Sequence, residues 1–186
     1  MEFDFDQCRE ILFSGLVDAL ETNEGAVRSF GEDCNGTITG VSFDILPWHR
    51  FVALSFRTSS DDFVLLDQKE LDVRYSPADW KHYEFIGDGS FDEVREYTGS
   101  VYSMSGGTAG QESMHLILLT AADALLDDHV SNLFQSCGFD AGIETDKVQW
   151  GKFEYMVLDE DKAFKANYCE MLISNRVTKR LLGRVI

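Results

Sequence analysis

Between Phe51 and Arg57 the chain reads Phe-Val-Ala-Leu-Ser-Phe-Arg, with Phe51, Ala53 and Ser55 alternating against Val52, Leu54 and Phe56. A strand that is apolar on both faces has no side to give to water, so it belongs in the middle of a sheet. That requires further strands on either side. Thr37 to Ile45 supplies one, rich in β-branched and aromatic residues, with Ile38, Phe43 and Ile45 in imperfect alternation and Gly40 marking a bulge. Leu46-Pro47-Trp48-His49 then makes a hairpin loop. Thr58 to Asp62 reads as a polar turn, Phe63 to Leu66 as a short strand or packed loop, and Phe153 to Leu158 as a late strand.

Elsewhere the period changes to that of a helix. Phe5, Cys8, Leu12, Leu16 and Ala19/Leu20 form one apolar stripe, opened by Asp4 and Gln7 as a capping box and closed at Asn23-Glu24-Gly25. Ala26 to Phe30 adds a short helical turn. Ser76-Pro77-Ala78-Asp79 reads as a helix start, with a capping serine, proline at the first position and an acid at the positive end. The helix so predicted carries Trp80, Tyr83 and Phe85, and Gly87-Asp88-Gly89 ends it. Ser90 and Glu93 box the next helix, Phe91 to Met104. Ser105 to Gly110, with three glycines, reads as a flexible loop. Helices follow over Gln111–Leu126 and Asp128–Cys137, the latter ended by Gly138, and a last one starts near Lys162, capped by Asp159 or Asp161.

Strands and helices are partly segregated along the chain. The expected class is therefore α+β: a mainly antiparallel sheet of about four strands packed against several helices. No repeat or linker divides residues 1–186, which are read as one domain. The chain is 44% hydrophobic and 12% aromatic with two prolines, too rich for a disordered segment.

Charge narrows the function. There are 33 Asp and Glu against 16 Lys and Arg, a net charge of −17. Residues 1–162 hold 32 acids and 11 bases, net −21, and residues 163–186 hold one acid and five bases, net +4. Phosphate affinity needs clustered cations, so direct nucleic-acid binding and adhesion to anionic membrane are disfavoured. The start Met1-Glu2-Phe3-Asp4-Phe5-Asp6 is acidic where a secretory signal is basic, and no apolar run approaches the ~20 residues of a membrane span. A cytoplasmic location is expected. The cysteines Cys8, Cys34, Cys137 and Cys169 form no C-x-x-C pair and are expected to be free thiols, with Cys34 exposed.

The stretch Arg74-Tyr75-Ser76-Pro77-Ala78-Asp79-Trp80-Lys81-His82-Tyr83 resembles the R-W-S-P-A-E-W-x-Y-H segment of a bacterial family of small proteins described only as a domain of unknown function. Tyr75 replaces the first Trp, and the order His82-Tyr83 is exchanged. The order of helices and strands is also similar over most of the chain. More loosely, such proteins look like the immunity proteins of bacterial toxin systems, which are small, acidic and cytosolic. That resemblance implies toxin neutralisation by binding.

No catalytic frame stands out. His49, His82, His115 and His129 form neither H-x-x-x-H nor H-E-x-x-H; a helical metal site from His115, Asp123, Asp127 and His129 is disfavoured because the last two lie past a helix break. Acid groups recur at Asp61-Asp62, Asp92-Glu93, Asp127-Asp128 and Asp159-Glu160-Asp161; their abundance weakens each as an acid/base pair, and three of them sit at expected helix starts, where capping explains them better. The glycine-rich loop lacks a G-K-[ST] ending, and Ser103 and Ser105 lie in no G-x-S-x-G. The expected function is thus non-enzymatic. The chain would bind a protein partner, a basic bacterial toxin, through Asp61, Asp62, Asp67, Asp127 and Asp128 on surface loops. No cofactor or metal is expected, and the chain would act as a monomer or homodimer. The alternative is a small-molecule or regulatory module in which Arg74, Trp80 and Tyr83 line a pocket rather than anchor the fold. A hydrolase would need a cleft with a His in reach of a Ser, Cys or carboxylate.

Overall fold

The computed structural model describes residues 3–33, 38–63, 77–87, 89–105, 107–142, 153–159 and 167–183. Helix α1, Phe5–Thr22, starts as expected: Asp4 Oδ1 accepts from the Gln7 N–H at 2.9 Å. Cys8, Leu12, Leu16, Ala19 and Leu20 are buried, while Phe5 lies at the rim, 49% exposed beside Phe3. Helix α2, Glu24–Asp33, is longer than the single turn expected, because Val27 and Phe30 bury against the core.

Strands β1, Ile38–Leu46, and β2, Phe51–Thr58, form the antiparallel hairpin, joined by a 3-10 turn at Pro47–His49 with Arg50 in the left-handed region. Their register shifts between Ile38 and Gly40, which is the bulge the glycine foretells. Strand β3, His82–Ile86, pairs antiparallel with β2, and β4, Glu154–Met156, pairs parallel with β1. The four-stranded order is β3-β2-β1-β4, so β2 is central. The class is α+β.

The alternation of β1 and β2 separates two environments. Val41, Phe43, Ile45, Val52, Leu54 and Phe56 point into the main core, with Ile86, Tyr155 and Val157. Helices α4 (Asp92–Ser105), α5 (Gly107–Leu125) and α6 (Asp128–Ser136) complete this core with α1, and α7 (Tyr168–Gly183) packs on α5 and β4. Phe30, Phe56, Phe85, Phe134, Phe139 and Phe153 form a connected aromatic group where α2, α6 and the sheet meet. His82 joins it at 4.5 Å from the Phe30 ring, and burial there pushes its pKa down.

Several expectations are corrected. The helix expected from Ser76 is only a 3-10 turn, Pro77–Asp79, followed by β3; Ser76 itself lies outside the described residues. Trp80 N–H bonds the Pro77 carbonyl and Lys81 N–H is taken by Asp61, so the chain is turned into pairing with the free edge of β2. Trp80 and Tyr83 therefore share no helix face. The turn expected at Thr58–Asp62 is a short helix, α3, Ser59–Phe63. Of the loop expected at Ser105–Gly110, Ser105 ends α4 and Gly107–Gly110 are the first turn of α5. Tertiary contact outweighs weak propensity there, with the Tyr102 ring beside Gly110. The last helix begins at Tyr168, and its cap is Asn167, whose Oδ1 accepts from the Cys169 N–H at 3.1 Å; Asp159 is buried and Asp161 lies outside the described residues.

One glycine sets the crossing of α1 and α4. A Cβ on Gly15 would lie 2.3 Å from Val94 Cγ2. Valine is stiff at χ1 and cannot swing clear. Gly15→Ala is expected to lower stability by about 1–3 kcal/mol through overpacking, despite about 1 kcal/mol gained in helix propensity. In a Val94→Ala background the same change should be neutral or stabilising. Urea unfolding of the four proteins checks this; a raised midpoint for Gly15→Ala alone would show that the helices have room to part.

Candidate functional site

Asp61 is not on an open loop. It is buried, and its carboxylate accepts from Thr58 N–H at 2.7 Å, Thr58 Oγ1 at 2.8 Å and Lys81 N–H at 3.1 Å. It binds β2 to the start of β3, a structural task, where the sequence placed it on a surface loop. Asp127 is also occupied: Oδ1 caps α6 through the His129 N–H, and Oδ2 meets Arg9 Nη2 at 2.8 Å. Asp128 is exposed on the first turn of α6. The Asp62 side chain, Asp67, Arg74 and Cys34 lie outside the described residues.

The same arginine also engages the acid near the end of α5. Arg9 Nε meets Asp123 Oδ2 at 2.8 Å, and Arg176 Nη2 meets Asp123 Oδ1 at 3.1 Å. This network ties α1, α5, α7 and the α6 cap together. Among the described residues no group of three His, Cys, Asp or Glu is placed to hold a metal ion. His115 faces elsewhere: its Nδ1 lies 2.5 Å from the Tyr168 hydroxyl and 3.8 Å from Asp159 Oδ2. The carboxylate is thus beyond hydrogen-bond reach. Burial, with Asp159 adding to it, pushes the Tyr168 hydroxyl up to about 12. The contact fastens the start of α7 to α5.

Trp80 is 4% exposed and packs with Met156 and Leu158 on the sheet face opposite the main core. Arg57 stands over its ring at 6.0 Å. Tyr83 is half-buried and stacks on Phe51. The two-sided apolar pattern of Phe51–Arg57 implies that this second face is covered, but not that it buries a polar group. Asp44 there accepts from Ser42 Oγ and Ser55 Oγ, each at 2.5 Å, and Ser55 Oγ accepts from the Glu84 N–H. All three side chains of the Ser42–Asp44–Ser55 group are buried. The signal was the polar half of the alternation in Val41-Ser42-Phe43-Asp44-Ile45. Such a half normally faces water, and nothing local says that it is buried.

The surface that is open and chemically one-sided belongs to the consecutive helices α1 and α2. Asp6, Glu10, Asp18, Glu21, Glu24, Glu32 and Asp33 are all exposed. The two arginines on these helices are already in ion pairs, Arg9 with Asp123 and Asp127, and Arg28 with Glu24. Asp6, Glu10, Asp18 and Glu21 are the polar face of the stripe that buries Leu12 and Leu16, and Glu24, Glu32 and Asp33 lie on α2, which buries Val27 and Phe30. Where α1 meets α2, α6 comes alongside, leaving a groove of about 260 Å³ lined by Leu20, Glu21, Glu24, Leu133, Ser136 and Cys137. Burial raises the pKa of the Cys137 thiol, so at neutral pH it adds an uncharged wall. Cys8, Cys137 and Cys169 are free thiols.

No helix among the described residues is long and apolar enough to cross a membrane. Compared with protein-family models, with curated proteins and with solved structures, the chain matches none of them.

Proposed function

We propose that this chain is a non-enzymatic binding protein whose acidic helical face engages a basic protein partner in the cytoplasm. The observation that carries the reading is the surface of α1 and α2, where seven exposed carboxylates stand against two arginines that are both already paired. Such a field raises the encounter rate of a cationic partner and disfavours anionic ones. The segment Arg74–Tyr83, similar to small proteins that look like toxin immunity factors, points to a toxin as that partner. Neutralisation would then be occlusion: carboxylates cover a basic catalytic surface and exclude its substrate.

Affinity capture from the native host tests this directly, at low and at moderate salt. The expected result is a basic protein recovered in fixed stoichiometry, held more weakly as salt rises and inactive while bound. Recovery of no protein partner at either salt concentration would sink the reading.

A further inference from the structure

The groove between the α1–α2 turn and α6 has a shape and chemistry that specify what enters it. Leu20 is buried and Leu133 half-buried, so they give it an apolar floor, with the neutral Cys137 thiol beside them. Glu21 and Glu24 are exposed and stand at the rim. At about 260 Å³ it is smaller than the roughly 300–1,000 Å³ of small-molecule sites. It is large enough for one long side chain. An aliphatic stem ending in a cation suits it, because such a side chain buries its methylenes while its head stays with water and carboxylates.

We infer that this groove is the anchor site for a lysine or arginine side chain of the basic protein partner, an inference that rests on the function proposed above. The partner's stem lies between Leu20 and Leu133, and its cation sits between Glu21 and Glu24. Arg28 shows the rim's preference from within the chain, since its guanidinium already pairs with Glu24. Arg28 is therefore also a competitor, and removing it frees Glu24 for the incoming cation. General acidity of α1 and α2 makes neither distinction: it treats all acids alike and gives no special place to Arg28.

The test uses the full chain with poly-L-lysine as probe, and with the captured basic partner once it is in hand. Glu21→Gln is expected to weaken binding by about fivefold or more, and Arg28→Gln to strengthen it by about threefold. Ser136→Lys, on the exposed groove wall, should weaken it most by placing a cation in the groove. Charge-matched controls away from the groove are Glu93→Gln and Arg50→Gln, each expected to change binding less than twofold. All five positions are on the surface, and unchanged circular dichroism verifies the fold. Equal effects of groove and control variants would overturn the groove while leaving the acidic-face reading intact. Failure of the wild type to bind either the probe or any protein would overturn both.

Discussion

Arg57→Ala is expected to destabilise the fold by about 3–5 kcal/mol, the cost of breaking a buried ion pair by removing one partner. Arg57 is 3% exposed in the centre of the sheet. Its Nη1 meets Glu154 Oε2 at 3.0 Å, and its Nε meets Thr39 Oγ1 at 3.1 Å. Arg57 and Glu154 belong to strands that are not neighbours. Gly40 of β1 pairs with both of them, so the three stand in one row across β2, β1 and β4. With no side chain on Gly40, the guanidinium reaches over β1 to the carboxylate. A Cβ on Gly40 would come within 2.8 Å of the Glu154 carbonyl oxygen. Alanine at position 57 strips Glu154 of this cation while its side chain is only 17% exposed. The double variant Arg57→Met with Glu154→Leu removes both charges and should recover most of the loss. Urea unfolding reads both. A loss below about 1 kcal/mol for Arg57→Ala would mean that the pair contributes no more than a surface ion pair.

The other large effect is expected at Phe134→Ala, again about 3–5 kcal/mol. Phe134 is fully buried on α6 and lies parallel to Phe139 at 5.8 Å. It also meets the Phe56 ring edge-on at 6.1 Å and touches the rings of Phe153 and Tyr155. Its partners come from β2, from the segment after α6 and from the β4 end of the chain. Truncation opens a cavity that rigid rings on several sides cannot refill. Phe5→Ala is the control: that ring is 49% exposed, and its loss should stay within about 0.5 kcal/mol. If the two substitutions shift the urea midpoint equally, α6 is not fixed to the sheet through this ring.

Much of the fold was legible because its signals are local. The capping of α1 by Asp4, the central place of β2, the bulge at Gly40 and the stop at Gly138 each follow from a few adjacent residues. Failures came where a distant element decided. Pro77 to Ile86 has a good helix opening, but the open edge of β2 and the Asp61 carboxylate draw it into a turn and a strand. Gly107 to Gly110 has loop composition, but it is helical where Tyr102 packs against it. The candidate site divides the same way. Acidity as a property was plain in the composition, but which acids remain for a partner was not. Asp61 and Asp127 are adjacent to exposed neighbours in sequence, yet Thr58, Lys81 and Arg9 occupy them.

Local pattern and composition suffice for the class, the order of most elements, the central strand and the sign of the surface field. These depend on hydrophobic period, caps and charge totals, which are properties of short stretches or of sums. Contacts between distant elements settle which carboxylates are occupied and that the second face of the sheet buries Ser42, Asp44 and Ser55. They also decide that α1, α2 and α6 meet around a groove with an acidic rim. Those depend on pairings across the chain, such as Arg9 with Asp123, Arg57 with Glu154 and Leu20 with Leu133. No local pattern encodes such pairings, because each partner's alternative is water.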